Sequence, residues 1–141
     1  MENSFQKHSI TAEAAKLMIV AAERKAAELG VHIAVTIVDE SGVLKAFSRM
    51  DGAPLISVDA SRKKAITAVG FGMPTGKSWF DFIEKDPILR EGVHNFSDFM
   101  LMGGGIPILL DKRIIGAIGV SGGHYETDQQ CAQAALDHLI S

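Results

Sequence analysis

Half of the 14 glycines in this 141-residue chain lie between Gly103 and Gly123. They form two clusters, Gly103-Gly104-Gly105 and Gly119-Val120-Ser121-Gly122-Gly123, with Gly116 between them. Clustered glycine lets a backbone come close to something else, because no Cβ stands in the way. Between the clusters run two apolar stretches, Ile106 to Leu110 and Arg113 to Val120, separated only by Asp111-Lys112. So short a connection makes a tight hairpin of antiparallel strands. The dipeptide lacks the glycine that such turns favour, which leaves the turn type open.

The other elements follow from periodicity. Ser9-Ile10-Thr11 offers helix caps, and Ala15, Ile19, Ala22, Ala26 and Leu29 recur behind them at helical spacing until Gly30. Val31 to Val38 is a β-branched run that is apolar on both alternations, the pattern of a strand covered on both faces. Asp39-Glu40-Ser41-Gly42 turns the chain into a second strand, Val43 to Met50. Pro54 opens a second helix that runs to about Val69, where Gly70 and Gly72 stop it. Trp79, Phe82 and Ile83 sit at helical spacing, and Asp86-Pro87 resembles an N-cap followed by the first helical residue. Ser97 to Met102 is expected to be a third strand before the hairpin. A last helix, capped at Thr127 or nearby, carries Cys131, Ala132, Ala135, Leu136 and Leu139 on one face. The expected fold is α+β, in the order α-β-β-α-(α)-β-β-β-α, with a mainly antiparallel five-stranded sheet and helices packed on it.

Composition narrows the function classes. A chain of this length, 47% hydrophobic and 22% charged, makes a single domain over residues 1–141. One cysteine excludes a disulfide framework or a Cys-rich metal site within the chain. The formal charge of 14 − 17 = −3, with Arg62-Lys63-Lys64 as the single basic triplet, argues against nucleic acid as a partner. Met1 to Ser9 is polar and lacks the apolar core of a secretory signal, and no stretch is apolar enough to span a membrane. A cytoplasmic location without membrane attachment is the expectation.

Two motifs imitate known chemistry and fail. Gly70 to Ser78 resembles a phosphate-binding loop, but Gly70 leaves five residues before Gly76-Lys77-Ser78 and Gly72 leaves three, where four are needed. Gly119-Val120-Ser121-Gly122-Gly123 fits a nucleophile elbow, with Asp128 and His138 following in order. Ten residues of one helix separate Asp128 from His138 by about 15 Å, too far for triad neighbours. What remains for the glycine clusters is either a pair of tight turns or a ligand site. Ser121, Gly122 and Gly123 offer a hydroxyl and backbone N–H groups at a helix start, and Gly103, Gly104 and Gly105 offer a second bare surface. His124 is not required for capping there and is a candidate acid/base or haem iron ligand, with Glu126 a second proton-transfer candidate. Arg49, ending the second strand, is suited to hold a carboxylate in bidentate fashion. Phe96, Phe99, Met100 and Met102 pack a core or wall a flat hydrophobic ligand.

Taken together, Ile10-Thr11, Val38-Asp39, Arg49-Met50-Asp51-Gly52-Ala53-Pro54, Gly103-Gly104-Gly105-Ile106-Pro107-Ile108 and Gly116 to Gly123 with Asp128 and Ala132 resemble the haem-binding HbpS/GlcG-like family over nearly the whole chain. The resemblance implies a profilin-like sheet between helices, a haem-binding or haem-degrading role, and a homo-oligomer. His124-Tyr125 departs from the family pattern. Three function classes remain open. The first is a protein that binds a small anionic or flat apolar ligand, haem foremost, through Arg49, the Gly103 cluster, Ser121 to His124 and Glu126. The second is an isomerase, lyase or hydrolase acting on a small carboxylate-bearing metabolite, with His124 or Glu126 moving the proton. The third is a structural subunit of an oligomer.

Overall fold

The Thr11 hydroxyl accepts the Ala14 N–H at 3.1 Å and starts α1, Ala12–Leu29, which ends on Gly30 at φ 72°. From there the computed structural model, which describes residues 1–140, runs β1 (Ala34–Asp39), β2 (Leu44–Arg49), α2 (Ile56–Phe71), α3 (Lys77–Ile83), α4 (Pro87–Gly92), a 3-10 turn (Val93–Asn95), β3 (Gly105–Leu110), β4 (Arg113–Ser121) and α5 (Tyr125–Ile140). The Asp86 carboxylate accepts the Ile88 and Leu89 N–H groups ahead of Pro87, the cap that the Asp-Pro pair predicts. All strand pairs are antiparallel and the sheet order is β2-β1-β4-β3.

The sheet is covered on both faces. Ile33, Val35, Ile37, Ile118 and Val120 face α1 and α5, where Met18, Ala22, Ala26, Ala132 and Ala135 complete the main core. On the other face Val38 and Ala117 meet Ala65 and Ala68 of α2, and the Thr36 and Ser61 hydroxyls share a buried hydrogen bond of 2.8 Å. This helix lies against the sheet at backbone range. A Cβ on Gly119 would run into the Ser61 carbonyl oxygen and stand 2.6 Å from the Ala65 nitrogen, and one on Gly105 would run into the Lys64 carbonyl oxygen. Two of the clustered glycines therefore serve the docking of α2 to the sheet.

Four expectations are corrected. The sheet has four strands, because Ser97 to Met102 is turn and loop. Its backbone is satisfied elsewhere: Thr67 of α2 donates to the Asp98 carbonyl at 3.1 Å and accepts the Met100 N–H at 2.9 Å, and Gly76 donates to the Leu101 carbonyl at 2.6 Å. Phe99 and Leu101 turn into a third cluster around Trp79, Ile83 and Val93. Second, α2 passes through Gly70 and stops at Gly72, φ 70°. Third, α5 begins at Tyr125, so Thr127 lies inside it. Fourth, His124 does act in capping: its Nδ1 accepts the Glu126 N–H at 3.2 Å, and its carbonyl accepts the Asp128 N–H. The hairpin turn is also settled, since Asp111 and Lys112 both have positive φ, 51° and 65°, the handedness that matches strand twist.

Candidate functional site

A cleft of about 610 Å³ opens where the start of α3, residues 101–103 and the first turns of α5 meet. That is within the roughly 300–1,000 Å³ of small-molecule sites. Three contacts hold its walls together. Gly76, at φ 93°, lies so close to Gly103 that a Cβ would stand 2.9 Å from the Gly103 Cα. Thr75 exchanges bonds with Gly105, the threonine hydroxyl accepting the Gly105 N–H at 2.9 Å and the Thr75 N–H reaching the Gly105 carbonyl. Gln129 of α5 accepts the Gly104 N–H at 2.6 Å. Phe80, Leu101, Met102 and Tyr125 give the cleft apolar and aromatic surface, and Lys77, Glu126 and Gln129 give it polar groups.

The expected site residues separate on this frame. Gly103 and Glu126 line the cleft. Gly104 and Gly105 face α2, a Cβ on Gly104 clashing with the Val120 carbonyl oxygen and reaching Lys64 Nζ at 3.1 Å. Ser121 and Gly123 line a second, smaller cavity, while Gly122 lies against the His32 backbone. The exposed His124 ring tilts against Tyr125 with centroids 4.1 Å apart, and lines neither space. Arg49 is exposed at the end of β2 and lies outside both. Its partner Ala34 pairs on its other side with Ser121, so two strand spacings, about 10 Å, separate Arg49 from that end of β4.

Sequence reasoning missed Lys64. Within the basic triplet, Arg62 pairs with Asp59 and Asp98, Lys63 pairs with Asp59, and Lys64 turns inward. Lys64 Nζ donates to the Val120 carbonyl at 2.9 Å and to Asp128 Oδ2 at 3.0 Å, while Asp128 Oδ1 accepts the Gly123 N–H at 2.9 Å. Both side chains are buried. Loss of solvation pushes the lysine down and the aspartate up from their ordinary values, against the attraction between the two. The only available signal was spacing: Lys64 shares the helical face of Ser57, Ala60, Ser61 and Ala68, all of them buried. Lys77 was also missed, set aside with the failed phosphate-loop motif, and so was Phe80, which no motif singled out.

Among the described residues no three His, Cys, Asp or Glu side chains converge as a metal site. Cys131 is buried in the main core with its thiol pushed up to about 11 by desolvation, which makes it a poor ligand. No helix is long and apolar enough to cross a membrane among those residues.

Comparison with known proteins agrees with this architecture. The crystal structure of Klebsiella pneumoniae protein ORFY superposes with a TM-score of 0.92 at 35% identity, covering 100% of this chain and 97% of that one. A PduOC:haem complex superposes with a TM-score of 0.84 at 31% identity, covering 92% and 94%. An uncharacterized 15.0 kDa protein from the dhaT-dhaS intergenic region of Citrobacter freundii is 34% identical over 155 residues, spanning 97% of this chain and 96% of that protein. The model of the haem degrading protein HbpS-like family matches residues 10–137, and the chain belongs to that HbpS-like family.

Proposed function

We propose that the cleft between α3 and α5 binds a flat, largely apolar molecule with acidic substituents, and that haem is this ligand. The observation that carries the reading is the composition of the wall. Phe80, Leu101, Met102 and Tyr125 provide a hydrophobic surface beside the bare backbone of Gly76 and Gly103, with the Lys77 ammonium at hand for a carboxylate. The donor set fits the group: thioether, phenol and imidazole all serve as haem iron ligands, and Met102 and Tyr125 line the cleft with His124 against the Tyr125 ring. Bound haem would supply redox and oxygen chemistry. The chain's residues hold it, shield its faces from water and orient its acidic edge. The haem bound in the PduOC relative and the family's description support this reading.

Titration with haem, followed through its Soret band, tests it. A saturable shift at micromolar haem is expected, and its loss in Tyr125→Phe, Met102→Leu or His124→Ala identifies the iron ligand. No saturable change in the wild-type protein would overturn the reading. A second reading rests on Glu126 in the same wall: proton transfer on a small carboxylate-bearing metabolite anchored by Lys77. Turnover lost in Glu126→Gln with ligand binding intact would favour it.

A further inference from the structure

The smaller cavity, about 210 Å³, shares Met102 and Tyr125 with the cleft and has its own chemistry. It is below the roughly 300 Å³ of a drug-sized site, so its occupant has only a few heavy atoms. Lys64, Asp128 and Ser121 contribute to its wall. An ammonium has three N–H donors, and Lys64 spends two, on Val120 and Asp128. Ser121 is 9% exposed, and its hydroxyl takes no hydrogen-bond partner among the described residues. Two donors are thus free beside one small space. The other charges at the cavity, Lys63 and Asp59, pair with each other at 3.2 Å. Positive and negative groups balance, which favours a neutral polar occupant over an anion. A carbonyl compound suits two donors, because one oxygen accepts both.

We propose that Lys64 is a nucleophilic amine that captures a small aldehyde or ketone in this cavity as an imine. The Asp128 carboxylate, 3.0 Å away, takes one proton from the ammonium and leaves a neutral amine. The nitrogen lone pair forms the bond to the carbonyl carbon while Ser121 donates a hydrogen bond to the oxygen. Proton transfer from nitrogen to that oxygen gives a neutral carbinolamine. Asp128 then returns its proton to the hydroxyl, which leaves as water, and the product is a protonated imine on Lys64. Charge and atoms balance with no redox partner. Burial assists by lowering the lysine and raising the aspartate, which narrows the gap for the first proton transfer. The proposal does not rest on haem binding, since Lys64, Asp128 and Ser121 lie outside the lining of the cleft.

The test uses the full wild-type chain with propionaldehyde and cyanoborohydride at neutral pH, followed by peptide mapping. Reductive labelling is expected at Lys64, saturable in aldehyde and faster than at the exposed Lys77. Asp128→Asn should slow it by about 100-fold and Ser121→Ala to a lesser degree, with fold checked by circular dichroism. Ser121→Ala removes a hydroxyl that holds nothing, so it reads the chemistry even if Asp128→Asn does not fold. Lys64 unlabelled, or labelled no faster than Lys77, overturns the proposal.

Discussion

Gly119→Ala and Gly70→Ala make the same chemical change and should have opposite effects. A methyl at residue 119 would enter the space of the Ser61 carbonyl oxygen and stand 2.6 Å from the Ala65 nitrogen. Carbon contacts are comfortable at about 3.5–4.0 Å, so α2 has to retreat by roughly 1 Å. These are backbone atoms of a regular helix, and no rotamer relieves the clash. Overpacking of this kind costs about 1–3 kcal/mol. The same retreat pulls Ser61 from Thr36, a buried 2.8 Å bond worth about 1 kcal/mol. Gly119→Ala should therefore lose roughly 2–4 kcal/mol, or about 7–14 °C in Tm for a domain of this size. Gly70 is exposed within α2, and its added Cβ meets nothing within 4 Å. Gly70→Ala should gain about 0.5–1 kcal/mol from helix propensity. Urea unfolding measured for all three proteins gives both values. If Gly119→Ala unfolds within about 0.5 kcal/mol of wild type, the close approach of α2 to the sheet is refuted.

Three further outcomes follow from the packing around Lys64, Cys131 and the β3–β4 turn. Lys64→Met leaves the buried Asp128 without its cation and should cost about 3–5 kcal/mol, whereas Lys64→Met with Asp128→Leu should recover much of that; urea curves for the two single variants and the double variant form the cycle. Cys131, buried and with its thiol raised to about 11, should react with a thiol reagent at pH 8 roughly 100-fold more slowly in the native protein than in urea, as read by absorbance. Lys112 holds φ 65° with a side chain that disfavours it, so Lys112→Gly, which creates the preferred Asp-Gly turn, should raise stability by about 0.5–1 kcal/mol in thermal melts.

Local signals read well from the chain because their causes are local. Thr11, Gly30 and the Asp86-Pro87 pair act within one helical turn, and each marks a helix boundary in the structure. The two-faced apolar run of β1 announced a strand covered on both faces, and helices do pack on both sides of it, around Val35 and Ile37 on one face and Val38 on the other. Ser97 to Met102 reads as a strand because Phe99-Met100-Leu101-Met102 is a short, wholly apolar run, which strands and other buried segments share. What removes it from the sheet is Thr67, about thirty residues away, which binds its backbone on both sides of Phe99. Lys64 was hidden for a similar reason: in a basic triplet only the fold decides which side chain turns inward.

By itself the sequence determined the element order outside Ser97 to Met102, the antiparallel hairpin and the presence of places where backbone must come close, since glycine, proline and apolar spacing act through local sterics. Only the tertiary structure decided what each glycine was for. Gly105 and Gly119 admit α2 to the sheet, Gly103 lines the cleft with Gly76 against it, and Gly104 makes room for Lys64. A missing Cβ records that something comes near without recording what, and the neighbour is supplied by chain distant in sequence.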